Sequence, residues 1–164
     1  GELPLGYDHK YVYSHFGYNL KATDMQAAIG CAQIKKFPTF VEKRIHNFDR
    51  LKAALAGCED KLILPEACDN ARPSWFGFLI TCKEGVDPYI EAHGVQTRML
   101  FAGNLIKHPC FDQMRASGKG YRVIGDLSVT DRVMNNTFWV GVYPGMTDEM
   151  IDYMAKTIKE AVNQ

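Results

Sequence analysis

The feature that most constrains the fold is a long helical region that begins near Thr23. Thr23 and Gln26 have the spacing of a capping box, in which each side chain pairs with the backbone amide of the other residue, so we predict a helix from here to about Phe37. Pro38 suits the first turn of a second helix, which we predict to end near Ala56. The apolar residues of this second helix recur at helical spacing: Val41, Ile45, Phe48, Leu51 and Leu55.

Shorter elements are predicted after the helical region. Apolar runs predict three strands, over residues 74–82, 95–101 and 137–144. Capping residues and periodicity predict short helices over 87–93 and 129–135 and a closing helix capped by Thr147. The stretch RASGKGYR, residues 115–122, is predicted to be an exposed loop. This order of elements predicts an α+β fold, with a small sheet and helices packed mainly on one face.

The composition is that of a globular domain. The chain has 164 residues, 46% of them hydrophobic, and its 19 basic residues balance its 19 acidic ones. This balance gives no argument for a nucleic-acid or membrane-surface partner, and no apolar run approaches the roughly 20 residues of a membrane span. The five cysteines are scattered without zinc spacing, and the N-terminus lacks a signal-peptide layout. We therefore expect a cytoplasmic protein with reduced thiols and no metal site.

The first 22 residues differ from the rest. They are rich in glycine, tyrosine and histidine and show neither helical nor strand periodicity. Their tyrosines suggest a segment that presses against another surface, such as a second subunit. We therefore divide the chain into an extended contacting segment, residues 1–22, and a C-terminal α/β domain, residues 23–164.

The stretch GYNLKATDMQAA is a candidate anion site. Asn19 and Lys21 lie directly before the capped helix, whose first amides carry partial positive charge. An amide, an ammonium and helix amides together can hold a phosphate. The alternative is ordinary capping beside a surface charge.

Further candidates lie in and after the predicted strands. Core packing is one explanation of the aromatic run around Phe76 and Phe78, and a binding role is the other. Arg98 lies within an apolar strand, where a cation needs a carboxylate, a phosphate or a carbonyl to face. Asp126 and Asp131 either form a paired-carboxylate site or lie beside a helix start that is capped by Asp131 or by a nearby serine or threonine. The residues by themselves assemble no complete catalytic constellation.

Several blocks resemble a known family. GYNLKATDMQAAIGCAQIKK resembles the GYN-x-[RK]-x-[ST]-[DE]-x-Q-A-A-x-G segment of the DegT/DnrJ/EryC1/StrS sugar aminotransferases, which are fold-type-I pyridoxal-phosphate enzymes. Three further blocks resemble segments of the CDP-4-keto-6-deoxyglucose 3-dehydrases, the deoxysugar branch of that family: PSWFGF, QTRMLFAGN and DRVMNNTFWVGVYPGMTDEM. The resemblance covers nearly the whole chain and implies that it is the C-terminal small domain of such an enzyme.

The resemblance also implies roles for individual residues. Asn19 and Lys21 match the turn that contacts the cofactor phosphate of the other subunit in related aminotransferases. Phe76 and Arg98 match positions near the sugar substrate. No catalytic residue is expected in this chain, because the Schiff-base lysine, or the histidine that replaces it in the dehydrases, lies upstream, as do the iron–sulfur cysteines. Ile106 stands where ordinary aminotransferases have the second histidine of H-Y-P-x-P-x-H, which fits the dehydrase branch.

The implied function is that of a pyridoxamine-phosphate-dependent dehydrase. Such an enzyme removes the C3 hydroxyl of a CDP-linked 4-ketosugar on the route to 3,6-dideoxysugars of bacterial O-antigen lipopolysaccharide. It works as a cytoplasmic homodimer with a flavin/iron–sulfur reductase as partner, and the isolated chain is expected to be inactive. The alternatives are a fragment of a pyridoxal-phosphate nucleotide-sugar aminotransferase and a non-catalytic dimerisation or interaction domain.

Overall fold

The computed structural model describes residues 4–6, 10, 12–18, 20–83 and 93–163. The chain divides into two compact units, residues 1–36 and 37–164. The helix predicted over residues 87–93 lies almost wholly outside the described residues. None of the helices in the described ranges is both long enough and apolar enough to cross a membrane.

The main element of the first unit is helix α1 (Asp24–Ile34). The predicted capping box is confirmed: the Gln26 amide donates to Thr23 Oγ1 at 3.3 Å, and the Thr23 amide donates to Gln26 Oε1 at 2.9 Å. The helix ends before the predicted Phe37. Its apolar residues, Met25, Ile29 and Ile34, are exposed, so this helix contributes nothing to a buried core.

The second unit contains two long helices, α2 (Phe37–Ala54) and α5 (Asp148–Val162). Both were predicted, and Thr147 caps α5 as expected, because its Oγ1 accepts from the Met150 amide at 3.3 Å. Arg50 of α2 forms a two-pronged contact with the Asp152 carboxylate of α5, at 2.9 and 2.7 Å. The two helices are therefore held together by an ion pair at the surface as well as by the apolar core beneath it.

A four-stranded sheet forms the other layer of this unit. Its strands are β1 (Leu62–Ile63), β2 (Gly77–Cys82), β3 (Thr97–Met99) and β4 (Thr137–Gly141). They lie in the order β1-β2-β4-β3, and all neighbours are antiparallel. The two-residue strand β1 was not predicted, and the other three are shorter than their sequence patterns indicated. The α+β class is confirmed.

The sheet has two different faces. Its inner face packs against α2 and α5 in a core that includes Phe78, Ile80, Phe138 and Val140 from the strands. The other face carries Gly77, Leu79, Arg98, Trp139 and Gly141, none of which is fully buried; at the far end of the same face, Thr137 pairs with Thr81 and is only 1% exposed. We call this second set the outer face.

The connection from β3 to β4 is more ordered than the sequence indicated. Besides the predicted helix, α4 (Ser128–Asn136), it contains two single 3₁₀ turns (Leu105–Lys107 and Pro109–Phe111) and helix α3 (Asp112–Ser117). The prediction of an exposed loop from residue 115 was therefore wrong for its first three residues. Arg115 lies in α3, and its guanidinium donates to the carbonyls of Ile106 and His108, tying the turns to the helix.

Candidate functional site

The outer face is assembled by the register of three strands. Leu79 of β2 lies opposite Trp139 of β4, and Arg98 of β3 lies opposite the same tryptophan. Residues directly opposite in antiparallel strands project to the same side of a sheet. Leu79, Trp139 and Arg98 therefore form one row across the outer face.

The position of the Trp139 indole depends on Gly77. A Cβ at Gly77 would lie 2.7 Å from Cε3 of Trp139, so the ring rests directly on the β2 backbone. The Phe76 ring meets it edge to face, with centroids 5.3 Å apart and an interplanar angle of 85°. Phe76 is 60% exposed. Core packing is therefore the wrong explanation for Phe76, although it is correct for Phe78, which is fully buried.

A small apolar pocket lies on the Phe76 side of Trp139. It has a volume of about 110 Å³ and is lined by both aromatic rings together with Leu100 and Phe101. Phe101 has a positive φ of 48° and a side chain that is 78% exposed. A left-handed backbone at a bulky residue is strained, and such strain tends to occur at functional sites.

A larger groove lies on the Arg98 side of Trp139. It has a volume of about 610 Å³ and extends from the outer face around the β3 edge to α5. In the amide orientation that satisfies both side chains, the Gln96 oxygen accepts from both terminal nitrogens of Arg98, at 3.0 and 3.1 Å. A terminal nitrogen of Arg98 also donates to the Thr97 carbonyl at 3.5 Å, so these acceptors are neutral and leave the charge of the guanidinium unneutralised.

The structure brings two of the predicted site residues to one tryptophan. Phe76 and Arg98 both border pockets that Trp139 shares. Trp139 itself was missed from the sequence, where it was one apolar residue of a predicted strand. Only the strand register shows that it lies between the two.

Asp126 and Asp131 have separate hydrogen-bond partners. Asp126 accepts from the amide and the hydroxyl of Ser128, at 3.0 and 2.8 Å. Asp131 accepts from Lys107 Nζ and from Nδ2 of Asn104, both at 2.8 Å, and the Asn104 residue is only 2% exposed. The capping role considered for Asp131 was wrong, because its carboxylate fastens the turn after β3 instead. These contacts, with Lys107 first and Asn104 second, lower the pKa of Asp131.

This lowered pKa predicts an acid-sensitive contact. A carboxyl group whose pKa is depressed by folding stabilises the folded state above its ordinary pKa of about 3.9, and this stabilisation is lost as the pH falls through the depressed value. We therefore expect Asp131→Asn to be less stable than the parent protein at pH 7, with the gap closing below pH ~4. Urea midpoints measured from pH 7 to pH 3 would check this. Asp60→Asn, at an exposed aspartate, controls for the lost charge; a gap that does not change with pH would contradict the assignment.

The predicted cofactor contacts belong to the first unit. Lys21 is exposed two residues before the cap of α1, and Asn19 lies outside the described residues. The Gln26 amide is already occupied by Thr23, so it is not available to an anion. What the chain offers a cofactor phosphate here, within the described ranges, is the Lys21 ammonium together with the first amides of α1, those of Asp24 and Met25. The same ranges contain no group of three or more His, Cys, Asp or Glu residues that could hold a metal, and all five cysteines are free thiols.

The relationship to known proteins agrees with the sequence blocks. The sequence model of the DegT/DnrJ/EryC1/StrS aminotransferase family matches residues 4–159. The chain belongs to this family. The lipopolysaccharide biosynthesis protein RfbH of Salmonella typhimurium is 52% identical over 98% of the chain, which corresponds to 37% of RfbH. A dTDP-4-dehydro-2,6-dideoxy-D-glucose 3-dehydratase of Saccharopolyspora spinosa is 46% identical over 99% of the chain and 35% of that protein.

Two consequences follow from these matches. The chain spans little more than a third of the length of these relatives and matches their C-terminal region, as the sequence resemblance predicted. Its fold is the pyridoxal-phosphate aminotransferase fold of solved structures: DesV of S. venezuelae superposes with a TM-score of 0.79 at 17% identity, over 97% of this chain and 42% of DesV. A GDP-4-keto-6-deoxymannose-3-dehydratase, the ColD H188N mutant with bound GDP-perosamine, gives 0.75 at 23% identity, over 93% and 40%.

Proposed function

We propose that this chain is the C-terminal region of a pyridoxamine-phosphate-dependent 3-dehydrase. The enzyme removes the C3 hydroxyl of a nucleotide-linked 4-keto-6-deoxy sugar, with a CDP-sugar as substrate, in the cytoplasmic synthesis of 3,6-dideoxysugars for O-antigen. The 46% identity to a 3-dehydratase and the 52% identity to RfbH support this activity over others of the family.

The observation that carries the proposal is an aromatic pair next to Arg98, in which Phe76 is exposed and Trp139 is half-buried. One face of the sheet is covered by helices, whereas the outer face presents Trp139, with the Phe76 ring against its edge and a guanidinium in the adjacent strand. Aromatic rings can pack on the apolar side of a sugar, and a guanidinium can bind phosphate oxygens. A sugar nucleotide needs both kinds of contact.

The cofactor supplies an electron sink to the reaction when it is bound. In our proposal, Lys21 and Asn19 bind its phosphate across a homodimer, as part of the contacting segment of residues 1–22. Phe76 and Trp139 orient the sugar and exclude water from one side of it. We expect the general base and the iron–sulfur cysteines in the part of the polypeptide that precedes this chain, and electrons from a separate reductase. The chain alone is therefore expected to be inactive.

A direct test uses the full-length polypeptide. The enzyme is loaded with pyridoxamine phosphate, supplied with a reductase and NADH, and offered a CDP-linked 4-keto-6-deoxy sugar. We expect mass spectrometry to show a product that has lost the C3 oxygen, with formation that depends on both the cofactor and the reductase. Replacement of the oxo group by an amino group, with glutamate as donor, would instead show an aminotransferase. The absence of turnover with CDP-, GDP- and dTDP-linked substrates would contradict the proposal.

A further inference from the structure

The segment between β3 and α4 begins and ends at strained residues. Phe101 follows β3 with a φ of 48°, and Leu127 directly precedes α4 with a φ of 57°. The described part of the chain has one other non-glycine residue with a positive φ, Asn70, and asparagine adopts this backbone more readily than phenylalanine or leucine. Such strain persists only where surrounding contacts hold it, and it is concentrated at functional sites and switch regions. The two strained residues therefore mark the ends of residues 102–126, which we call the flap.

The flap is bonded mainly to itself. Nε2 of His108 donates to the Ala102 carbonyl at 2.6 Å, and Arg115 donates to two carbonyls and to the Asp112 carboxylate, all within the flap. From residue 102 to residue 126, Asn104 is the one residue that is fully buried. A segment with so little buried surface needs less free energy to open than the core of a domain.

The flap is held to α4 at one carboxylate. Nδ2 of Asn104 and Nζ of Lys107 both donate to Oδ1 of Asp131, each at 2.8 Å. Next to them, Gly103 packs directly against Met134 of the same helix. Among the described residues, the remaining hydrogen bonds that leave the flap reach only the residues that flank it. Asp131 is therefore the main polar attachment of the flap to the rest of the domain.

One end of the flap is also the wall of a pocket. Phe101 lines the 110 Å³ pocket that Phe76 and Trp139 border. A change of φ at Phe101 moves its side chain relative to the other two rings. Movement of the flap therefore changes the shape of this pocket.

We propose that the flap is a lid that detaches from α4 as one unit, with Phe101 and Leu127 as its hinges and Asp131 as its latch. Its opening reshapes the pocket beside Phe76. Detachment releases the backbone strain at both hinges, which offsets part of the lost latch contacts. The two 3₁₀ turns and the six-residue helix α3 are too short to persist alone, so the amides that they protect become accessible together. The inference goes beyond the proposed function and does not rest on it, since every contact used lies within this chain.

Hydrogen exchange of the full-length protein, measured by mass spectrometry of overlapping peptides, tests the latch. In the parent protein, we expect the protected amides of residues 105–118 to share one protection factor, at least about tenfold below that of β4. Asp131→Ala should lower this shared factor about tenfold or more, because it removes two hydrogen bonds to a charged group. Asp60→Ala removes an exposed carboxylate next to β1, at the opposite edge of the sheet from β3, and should leave the factor unchanged.

A pair of variants at Phe101 tests the hinge. Phe101→Ala and Phe101→Gly both remove the ring, but only glycine also removes the cost of the left-handed backbone. That cost is present while the flap is attached and absent once it has opened. We therefore expect the flap amides to exchange about threefold more slowly in Phe101→Gly than in Phe101→Ala.

Each part of the inference has a result that would overturn it. Flap amides that exchange at unrelated rates, or with the protection of β4, would show that the flap does not open as one unit. Equal exchange in Asp131→Ala and Asp60→Ala would remove Asp131 as the latch, and equal exchange in the two Phe101 variants would remove that hinge. Turnover of a nucleotide sugar is measured separately, so failure of the proposed function leaves these outcomes unaffected.

Discussion

Phe78→Ala is expected to lower the free energy of unfolding by about 3–5 kcal/mol, because it removes a fully buried aromatic ring from the core. The centroid of the Phe78 ring lies 4.7 Å from the centroid of the Phe48 ring in α2. Loss of the Phe78 ring therefore leaves a cavity between the sheet and the helix. Urea unfolding of the purified protein measures the change.

Phe76→Ala is the matched control, two residues away in the same sequence run. Its side chain is 60% exposed and loses only an edge contact with Trp139, so we expect a change of about 1 kcal/mol or less. In the full-length enzyme we expect Phe76→Ala to raise the KM for the sugar nucleotide, although this variant loses less stability than Phe78→Ala. Equal losses of stability in the two variants would show that the two faces of the sheet have been misassigned.

Gly103→Ala is expected to be the most damaging single-methyl substitution in the β3–β4 connection. Gly103 has a φ of 57°, which costs an L-residue roughly 1–2 kcal/mol. A Cβ there would also lie 2.7 Å from Cβ and 3.1 Å from Cα of Met134 in α4, and such overpacking typically costs about 1–3 kcal/mol. Together these terms predict a loss of roughly 2–5 kcal/mol in urea unfolding.

Gly118→Ala separates the two causes. Gly118 has nearly the same φ, 64°, at the end of α3, but nothing lies within 4 Å of its Cβ position. It should therefore lose only the backbone term of roughly 1–2 kcal/mol. Hydrogen exchange of residues 100–127 should accelerate in Gly103→Ala more than in Gly118→Ala. Indistinguishable stabilities would mean that the contact with Met134 carries no energy.

Local signals in the sequence predicted much of the secondary structure. The capping box at Thr23 and the cap at Thr147 were correct because their hydrogen bonds join residues only three apart. Apolar runs in the sequence located three of the strands but did not show where each strand ends. A strand ends where its pairing with the neighbouring strand stops, and that pairing involves residues far away in the sequence. Helix α3 was missed because it is stabilised by Arg115 contacts with turns that precede it.

The sequence predicted two residues of the candidate site but not the tryptophan between them. The family resemblance named Phe76 and Arg98, but the same aromatic run also contained Phe78, and no local pattern shows which ring faces the core. Asp131 carried the same ambiguity, because a carboxylate in the first turn of a helix either caps that helix or reaches a neighbouring turn. The structure resolved both cases through contacts between residues far apart in the chain.

The sequence by itself determined the starts of α1 and α5, the α+β class and the family, because these depend on neighbouring residues or on blocks read in order. Only the tertiary structure decided that Trp139 lies between Phe76 and Arg98 and that its ring rests on Gly77. Strand register sets these relations, and it arises from the packing of the whole sheet on its helices. A single-residue shift in register would move every one of these side chains to the other face.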